Sequence, residues 1–429
     1  MEDRTATYIE GRFADRYESA PPSAPEDGGN REWGYIPFTT GGKPPMIRHR
    51  SGFDMQPLGE TLAAKAPRHV YRSAALYDDP AAESMNEKGW RGADLVFDLD
   101  ADHLDGVDPA EETLAEMLDR CREETLKLLD VLVCDLGFSD PVTAFSGRRG
   151  YHVHVQAERV RSFEKAERRE IVEYVTGTDI AAEEVIDETR VDAEYGQQSA
   201  TKRRRLDLDG GWARRLWSGF FTWMRTGSAT GALRVSPRDA SAGNARTRPP
   251  VDTGIGDEEA AADRLSDLDG IGEQRAAAVI ERVRMWNDGE EGMAPSDGDG
   301  RDSDAMIAHP AVYTAFTSFV DAHGESVGAA IDEPVTTDAR RLMRLPGSLH
   351  GGSGLLVREI DPGDLHEFEP LIDAVPEEFR GSDVAVTLDK PRRTTVGSET
   401  RELGAGTHVL PEHVGIRLMA GGDAELDEE

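Results

Sequence analysis

Cysteine is almost missing from this chain. Two cysteines among 429 residues, Cys121 and Cys134, exclude a disulfide framework and a four-cysteine zinc site, and their separation of thirteen positions matches no zinc-pair spacing. Both read as small core residues on one helix. Long apolar runs are missing too: nothing approaches the ~20 residues needed to cross a bilayer. The start, Met1-Glu-Asp-Arg-Thr-Ala-Thr-Tyr8, has neither the basic region nor the apolar stretch of a secretory signal. A cytoplasmic protein without membrane contact is therefore expected. Positive charge is scarce as well, 49 Lys plus Arg against 83 Asp plus Glu, a net charge of −34. Spread evenly, such a charge repels nucleic acid. Only 7 of the 49 basic residues are lysine, however, and the aspartate surplus is the pattern of a protein that stays soluble in concentrated salt. In molar salt the Debye length is about 3 Å, so global repulsion is screened and local basic clusters decide what binds. The composition speaks to a halophilic habitat more than to a partner.

With 38% hydrophobic residues there is material for a core, and the length suits two or three domains or one elaborated domain. The first ~90 residues read as loop-rich, with aromatic anchors at Trp33, Tyr35, Phe38 and Tyr71. Ala93 to Asp100 reads as a strand, with Leu95, Phe97 and Leu99 on one face and Val96, Asp98 and Asp100 on the other. From Glu111 to Gly137, Leu114, Met117, Leu118, Cys121, Leu128, Leu129 and Leu132 recur at helical spacing. Val142–Phe145 is a short strand candidate, Ser146-Gly-Arg-Arg-Gly150 a basic glycine-rich turn, and Tyr151-His-Val-His-Val155 a second, alternating strand. Residues 156–200 read as helical and polar. Lys202-Arg-Arg-Arg205 then leads into a tract with Trp212, Trp217 and Trp223. Two readings stand for residues 202–225: a helical subdomain with core tryptophans and acid-paired arginines, which is preferred, or a single-strand-binding surface. Leu265–Gly272 and the alanines after it resemble the turn and second helix of a helix-hairpin-helix, and Asn287–Asp304 reads as an acidic linker. The acidic end, Gly421–Glu429, reads as disordered and solvating.

Asp98 and Asp100, at i and i+2 of a strand, have Cα atoms roughly 6.5–7 Å apart and side chains on one side. Hard oxygen ligands so placed suit Mg²⁺ or Mn²⁺ and the paired-metal chemistry of phosphoryl transfer. An acidic chain also contains such triplets by chance; the apolar strand around this one argues for a site. Ser146, Arg148, Arg149 and His152 supply a hydroxyl, two guanidiniums and an imidazole around a turn whose glycines let backbone amides approach an anion. The alternative is a tight hairpin turn with exposed arginines. His154, on the same strand face, reads as a supporting residue.

Asp98-x-Asp100, Ser146-Gly-x-x-Gly-x-His152, and Asp332 eighteen residues before the His of Ser348-Leu-His350 together resemble the small catalytic subunit of archaeal and eukaryotic DNA primase, here a haloarchaeal member. Arg31-Glu-Trp-Gly-Tyr35, Tyr71-Arg-Ser73 and Lys88-Gly-Trp-Arg-Gly-Ala-Asp-Leu95 extend the likeness, which covers roughly 1–180 and 305–360. It implies an α/β (α+β) primase-type catalytic domain with a mainly antiparallel sheet, built from 1–205 and 301–429, with a helical insertion subdomain at 206–300. It implies a nucleotidyltransferase that makes short RNA or RNA/DNA primers on single-stranded DNA during replication. Asp98, Asp100 and Asp332 would bind two catalytic Mg²⁺ or Mn²⁺ ions, with Asp338 competing for the third place. Ser146, Arg148, Arg149, His152, Arg344 and His350 would bind the nucleoside triphosphate; Arg340 and Arg341 would be structural or template-facing. It also implies a large primase subunit carrying an iron–sulfur cluster, as partner in a heterodimer. This sequence departs from the family twice. The zinc knuckle expected after the D-x-D strand is reduced to His103 and Cys121, so no structural zinc is predicted, and Gly352 stands where a lysine is usual. Competing readings are a repair-type primase-polymerase for gap filling, a non-catalytic nucleic-acid-binding subunit, and a D-x-D glycosyltransferase, which does not predict the later motifs.

Overall fold

The computed structural model describes residues 1–39, 44–104, 106–108, 111–191, 201–208, 210–229, 251–288, 301–396 and 399–427. The chain forms two compact units, one of Met1–Thr125, Asp140–Glu170 and Ile331–Glu429, the other of Leu126–Ser139 and Ile171–Ala330. The second takes in more chain on both sides than 206–300. Among the described residues no helix is long and apolar enough to cross a membrane.

In the first unit the predicted strands form. Leu95–Asp100 pairs antiparallel with Gly150–Val155, which pairs with Val142–Phe145, and Arg358–Ile360 closes the four-stranded sheet. Leu95, Phe97 and Leu99 are buried, the alternation expected of a strand with one face on a core, while Asp98 and Asp100 are half-buried on the other. A second four-stranded sheet runs Leu342–Arg344, His69–Ser73, Trp33–Ile36, Ile47–Arg50. All strand pairings among the described residues are antiparallel. Behind these sheets Arg31 and Asp94, both fully buried, pair at 2.7 Å; Arg31 also holds Asp27 at 2.6 Å and donates to the carbonyls of Ser73 and Ala74 at 2.8 and 3.0 Å.

Both ends of the chain differ from expectation. The N-terminal stretch, read as loop-rich, opens with a helix, Asp3–Ser19, that buries Ile9, Phe13 and Tyr17. Those three residues, four apart, make a narrow stripe that the surrounding charges conceal. The acidic end is ordered up to residue 427: Glu425–Leu426 pairs with Val386 and Thr387, and Glu425 accepts hydrogen bonds from the Met1 amino group and the Glu2 amide, each at 2.9 Å. The Leu426 amide donates to Thr5 Oγ1 at 2.9 Å. Negative charge there answers the chain's own N-terminus. The predicted long helix spans Leu114–Asp130 and continues as a wider π turn, Val131–Asp135. Cys121 is buried on the helix, where its thiol meets the Leu99 carbonyl at 3.3 Å, and Cys134 lies half-buried in the π turn.

In the second unit, Gly211–Thr226 is a helix whose Trp212, Trp217 and Trp223 are core, packed with Phe220 and Phe221 against Phe316 and Phe319. Arg215 is buried on that helix with Asp130 and, at 2.8 Å, Asp135 as counter-charges. The core reading of this tract therefore holds. The polar stretch before it departs from helix: Ile186–Val191 and Thr201–Leu206 pair antiparallel, setting Asp187 and Glu188 opposite Arg205 and Arg204. Opposite charges across the ladder stabilise a hairpin that has little apolar pattern to announce it. The helix hairpin forms from Glu258–Ser266 and Glu273–Asn287; most of the acidic linker, 289–300, lies outside the described residues.

Candidate active site

The antiparallel register sets Asp98 opposite His152 and Asp100 opposite Gly150. Asp98 Oδ1 lies 3.2 Å from His152 Nε2. Burial works to raise the Asp98 pKa, but the charge and hydrogen bond of His152, with Arg344 and Arg341 behind, hold it below the usual carboxylate range. Asp100 goes the other way. Burial, then the hydrogen bond and charge of Asp102, push it up to about 6. Asp102, against its own desolvation, is held low by that shared hydrogen bond and by Arg149, whose Nη1 is 2.6 Å away. The strand ends at Asp100, and a single 3-10 turn, Ala101–His103, brings Asp102 and His103 round so that ligand atoms of Asp100, Asp102 and His103 all lie within 4.8 Å of one another. Oδ1 of Asp100 and Oδ1 of Asp102 are buried without a hydrogen-bond partner. Two orphaned carboxylate oxygens beside an imidazole fit a divalent cation.

Asp332 reaches this strand through its backbone, its amide donating to the Asp98 carbonyl at 2.8 Å at the start of the short helix Glu333–Thr337. Asp338 is exposed and accepts the Arg340 amide at 2.9 Å. Asp98, His152 and Asp338 line a cavity of about 350 Å³ together with Arg48, Tyr71, Arg340, Arg341 and Arg344. Arg48 is paired with the buried Glu32 at 3.0 Å, and Glu32 also holds the buried Lys88 at 2.8 Å. Arg340, Arg341 and Arg344 have no carboxylate within ion-pair distance among the described residues; Arg344 lies over the Tyr71 ring at 5.9 Å, and its Nε has no hydrogen-bond partner.

The turn between the strands is closed by a backbone hydrogen bond. Ser146 is buried and its amide donates to the Gly150 carbonyl at 2.9 Å; Arg148 is exposed and Arg149 half-buried. Gly150 is glycine because a Cβ there would sit 1.9 Å from the Leu99 carbonyl oxygen. Gly150→Ala is expected to pry the two strands apart and cost about 3 kcal/mol, read from denaturant unfolding in high salt; a loss below ~1 kcal/mol would show that the strands shift freely. His154 is fully buried beside His152, ring centroids 6.3 Å apart, a supporting place. His350, also buried, accepts the Gly352 amide at Nδ1 over 3.1 Å, and burial drives its pKa well below the ordinary value.

A sequence profile described as DNA primase small subunit matches residues 97–362. Proteins named DNA primase small subunit PriS match along the full chain: that of Haloarcula marismortui at 42% identity over 430 residues, covering 100% of both chains, and that of Halobacterium salinarum at 41% over 429 residues, also 100% of both. That of Methanothrix thermoacetophila is 35% identical over 435 residues, covering 99% of this chain and 100% of the relative. The chain belongs to the DNA primase small subunit family. The profile of the primase small subunit spans Asp98, Asp100, the Ser146–His152 turn, Asp332, Arg344 and His350, whereas Glu32, Arg48, His69 and Tyr71 lie before it. The salt-loving relatives agree with the acid-rich, lysine-poor composition. Sequence reasoning missed Asp102. For Asp102 the signal was present, since the triplet continues as Asp98-x-Asp100-x-Asp102, but alternation along a strand says nothing of a turn that folds the third carboxylate back.

Proposed function

We propose that this chain is the catalytic subunit of a replicative DNA primase, joining ribonucleotides into short primers on single-stranded DNA. The observation that carries this reading is the arginine surplus at the Asp98–His152 cavity. In a chain of net charge −34, Arg340, Arg341 and Arg344 have no carboxylate within ion-pair distance among the described residues, a concentration of positive charge that fits a triphosphate and a template backbone. Asp98, Asp100 and Asp332 are the proposed ligands of Mg²⁺ or Mn²⁺, with Asp102 and His103 adjoining. When bound, such ions stabilise the attacking and leaving oxygens of an in-line displacement. His152 orients Asp98 through their 3.2 Å contact, and Arg148, Arg149, Arg344 and His350 bind the triphosphate of the incoming nucleotide. Ser146 braces the turn that carries both arginines. Arg149 must exchange Asp102 for phosphate. The residue usual at position 352 is replaced by glycine, and a Cβ there would approach His350 Cε1 to 3.2 Å, so this site is built without that side chain. The catalytic domain is assigned to the first unit, Met1–Thr125, Asp140–Glu170 and Ile331–Glu429, in place of 1–205 and 301–429, and the partner to a separate large subunit in the cytoplasm.

The test is synthesis on unprimed single-stranded DNA by the purified chain in high salt. Short metal-dependent products are expected; extension of a supplied primer alone would indicate a polymerase that depends on its partner to initiate, and no synthesis even with the large subunit present would overturn the reading. Metal binding should itself depend on pH. Asp100, pushed up to about 6, carries a proton below that value and must lose it to act as a ligand. Mn²⁺ affinity, followed by electron paramagnetic resonance from pH 5 to 8, is expected to fall by up to about tenfold per unit below pH 6 and to level off above it. A flat profile would remove Asp100 from the ligand set.

A further inference from the structure

We propose that Arg68 and His69 are positioning residues that set how tightly this chain binds nucleoside triphosphate, by gripping the peptide after His350 and fixing that imidazole as a neutral donor. The inference rests on the reading of His350 as a nucleotide contact. The start of strand His69–Ser73 holds Gly351 from both sides: Arg68 Nε donates to the Gly351 carbonyl at 2.8 Å, and His69 Nδ1 accepts the Gly351 amide at 3.3 Å. Arg68 Nη2 also donates to the Ala420 carbonyl at 3.3 Å, which ties the grip to the helix Glu412–Gly421. The His69 ring then meets the His350 ring edge-on, centroids 4.7 Å apart at 81°. On its other side His350 abuts the glycine turn, where a Cβ on Gly147 would come within 2.6 Å of His350 Cβ.

This confinement decides the tautomer. Because the Gly352 amide donates to His350 Nδ1 at 3.1 Å, that nitrogen carries no proton, and the ring's one N–H is at Nε2. Burial first, and then the guanidiniums of Arg344, Arg148 and Arg68, hold the imidazole well below its ordinary pKa. His69 is neutral for the same reasons, burial first and then Arg344, Arg68 and Arg148, with its pKa lowered to about 3. A fixed, uncharged N–H among guanidiniums contributes direction rather than charge: it donates to a phosphate oxygen in one position and no other. His69 touches neither metal nor substrate in this scheme; it acts only through Gly351 and His350.

The experiment compares four forms of the full chain: His69→Phe, which keeps a ring and removes the acceptor; His69→Asn, whose side-chain oxygen replaces Nδ1; His350→Ala; and the His69→Phe/His350→Ala pair. Equilibrium binding of a fluorescent ATP analogue is measured in EDTA, and KM and kcat in primer extension. His69→Phe is expected to weaken binding and raise KM by about tenfold with kcat within about twofold, since an interaction with the bound triphosphate is made equally in ground and transition states. His69→Asn should recover most of that affinity, and the double variant should bind no more weakly than His350→Ala alone. If His350→Ala weakens binding while His69→Phe does not, or if the two effects add, the positioning role is wrong and the nucleotide reading of His350 stands. If His350→Ala leaves affinity unchanged, that reading falls and the proposal with it. Should the phenylalanine variant not fold, Arg68→Met, which releases the Gly351 carbonyl, is read against the same outcomes.

Discussion

Asp100→Ala is expected to lower primer synthesis by on the order of 10³-fold while leaving the protein at least as heat-resistant as the parent. The two halves of that result have one cause. A carboxylate whose pKa is pushed up to about 6 by burial and by Asp102 is disfavoured in its charged form by the fold. Above that pH the carboxylate is charged in the folded and the unfolded chain alike, but only the fold disfavours the charge, so a group raised in this way detracts from stability at neutral pH, and its removal relieves the fold. Loss of activity with an unchanged or raised melting temperature therefore separates a functional carboxylate from a structural one. A variant that keeps a tenth or more of parental synthesis would remove Asp100 from the chemistry; one that loses both activity and stability would make it structural.

Arg31→Met should have the opposite signature. Arg31 and Asp94 are both wholly buried at 2.7 Å, and methionine keeps much of the stem while deleting the charge. Asp94 is then left with Arg161 at 3.4 Å, itself shared with Asp27. Breaking a buried pair by removing one partner costs about 3–5 kcal/mol, and salt does not soften the loss because ions do not reach the pair. Arg91→Met, at an exposed pair 3.7 Å from Asp78, should change stability by less than about 0.5 kcal/mol in the same urea titration. Equal losses in the two variants would contradict the assignment of burial as the cause.

The elements that carry chemistry were the most legible in the sequence. Leu95–Asp100, Val142–Phe145 and Gly150–Val155 announce themselves because a strand with one buried face must alternate and because glycine marks the turn between them. Where pattern failed, charge was the reason. The helix Asp3–Ser19 hides its stripe among acids and arginines, and the hairpin of Ile186–Val191 with Thr201–Leu206 carries charges across its ladder, Arg204 pairing with Glu188 at 3.2 Å, that no hydrophobic period reveals. The glycines of the Ser146–Gly150 turn were read as openings for an anion, yet Gly150 is demanded by the approach of the neighbouring strand, a contact no single sequence displays. Asp332 is a similar case. The family's spacing selects it over Asp338, and in the fold its backbone amide lies on the Asp98 carbonyl while Asp338 lines the cavity, two placements that spacing does not describe.

The division of the first unit among three stretches of chain sets an order of assembly during synthesis. The second unit is complete once Ala330 has been made, but each four-stranded sheet of the first still lacks an edge strand, Leu342–Arg344 in one and Arg358–Ile360 in the other. Until those strands arrive, Leu95–Asp100 has neither Asp332 beside it nor the Ser348–His350 segment across from the turn. A ribosome adding about 5–20 residues per second thus carries the two carboxylates of the D-x-D strand for roughly 10–50 seconds with no competent site around them. With the site as proposed, a chain released early is expected to be inert rather than partly active.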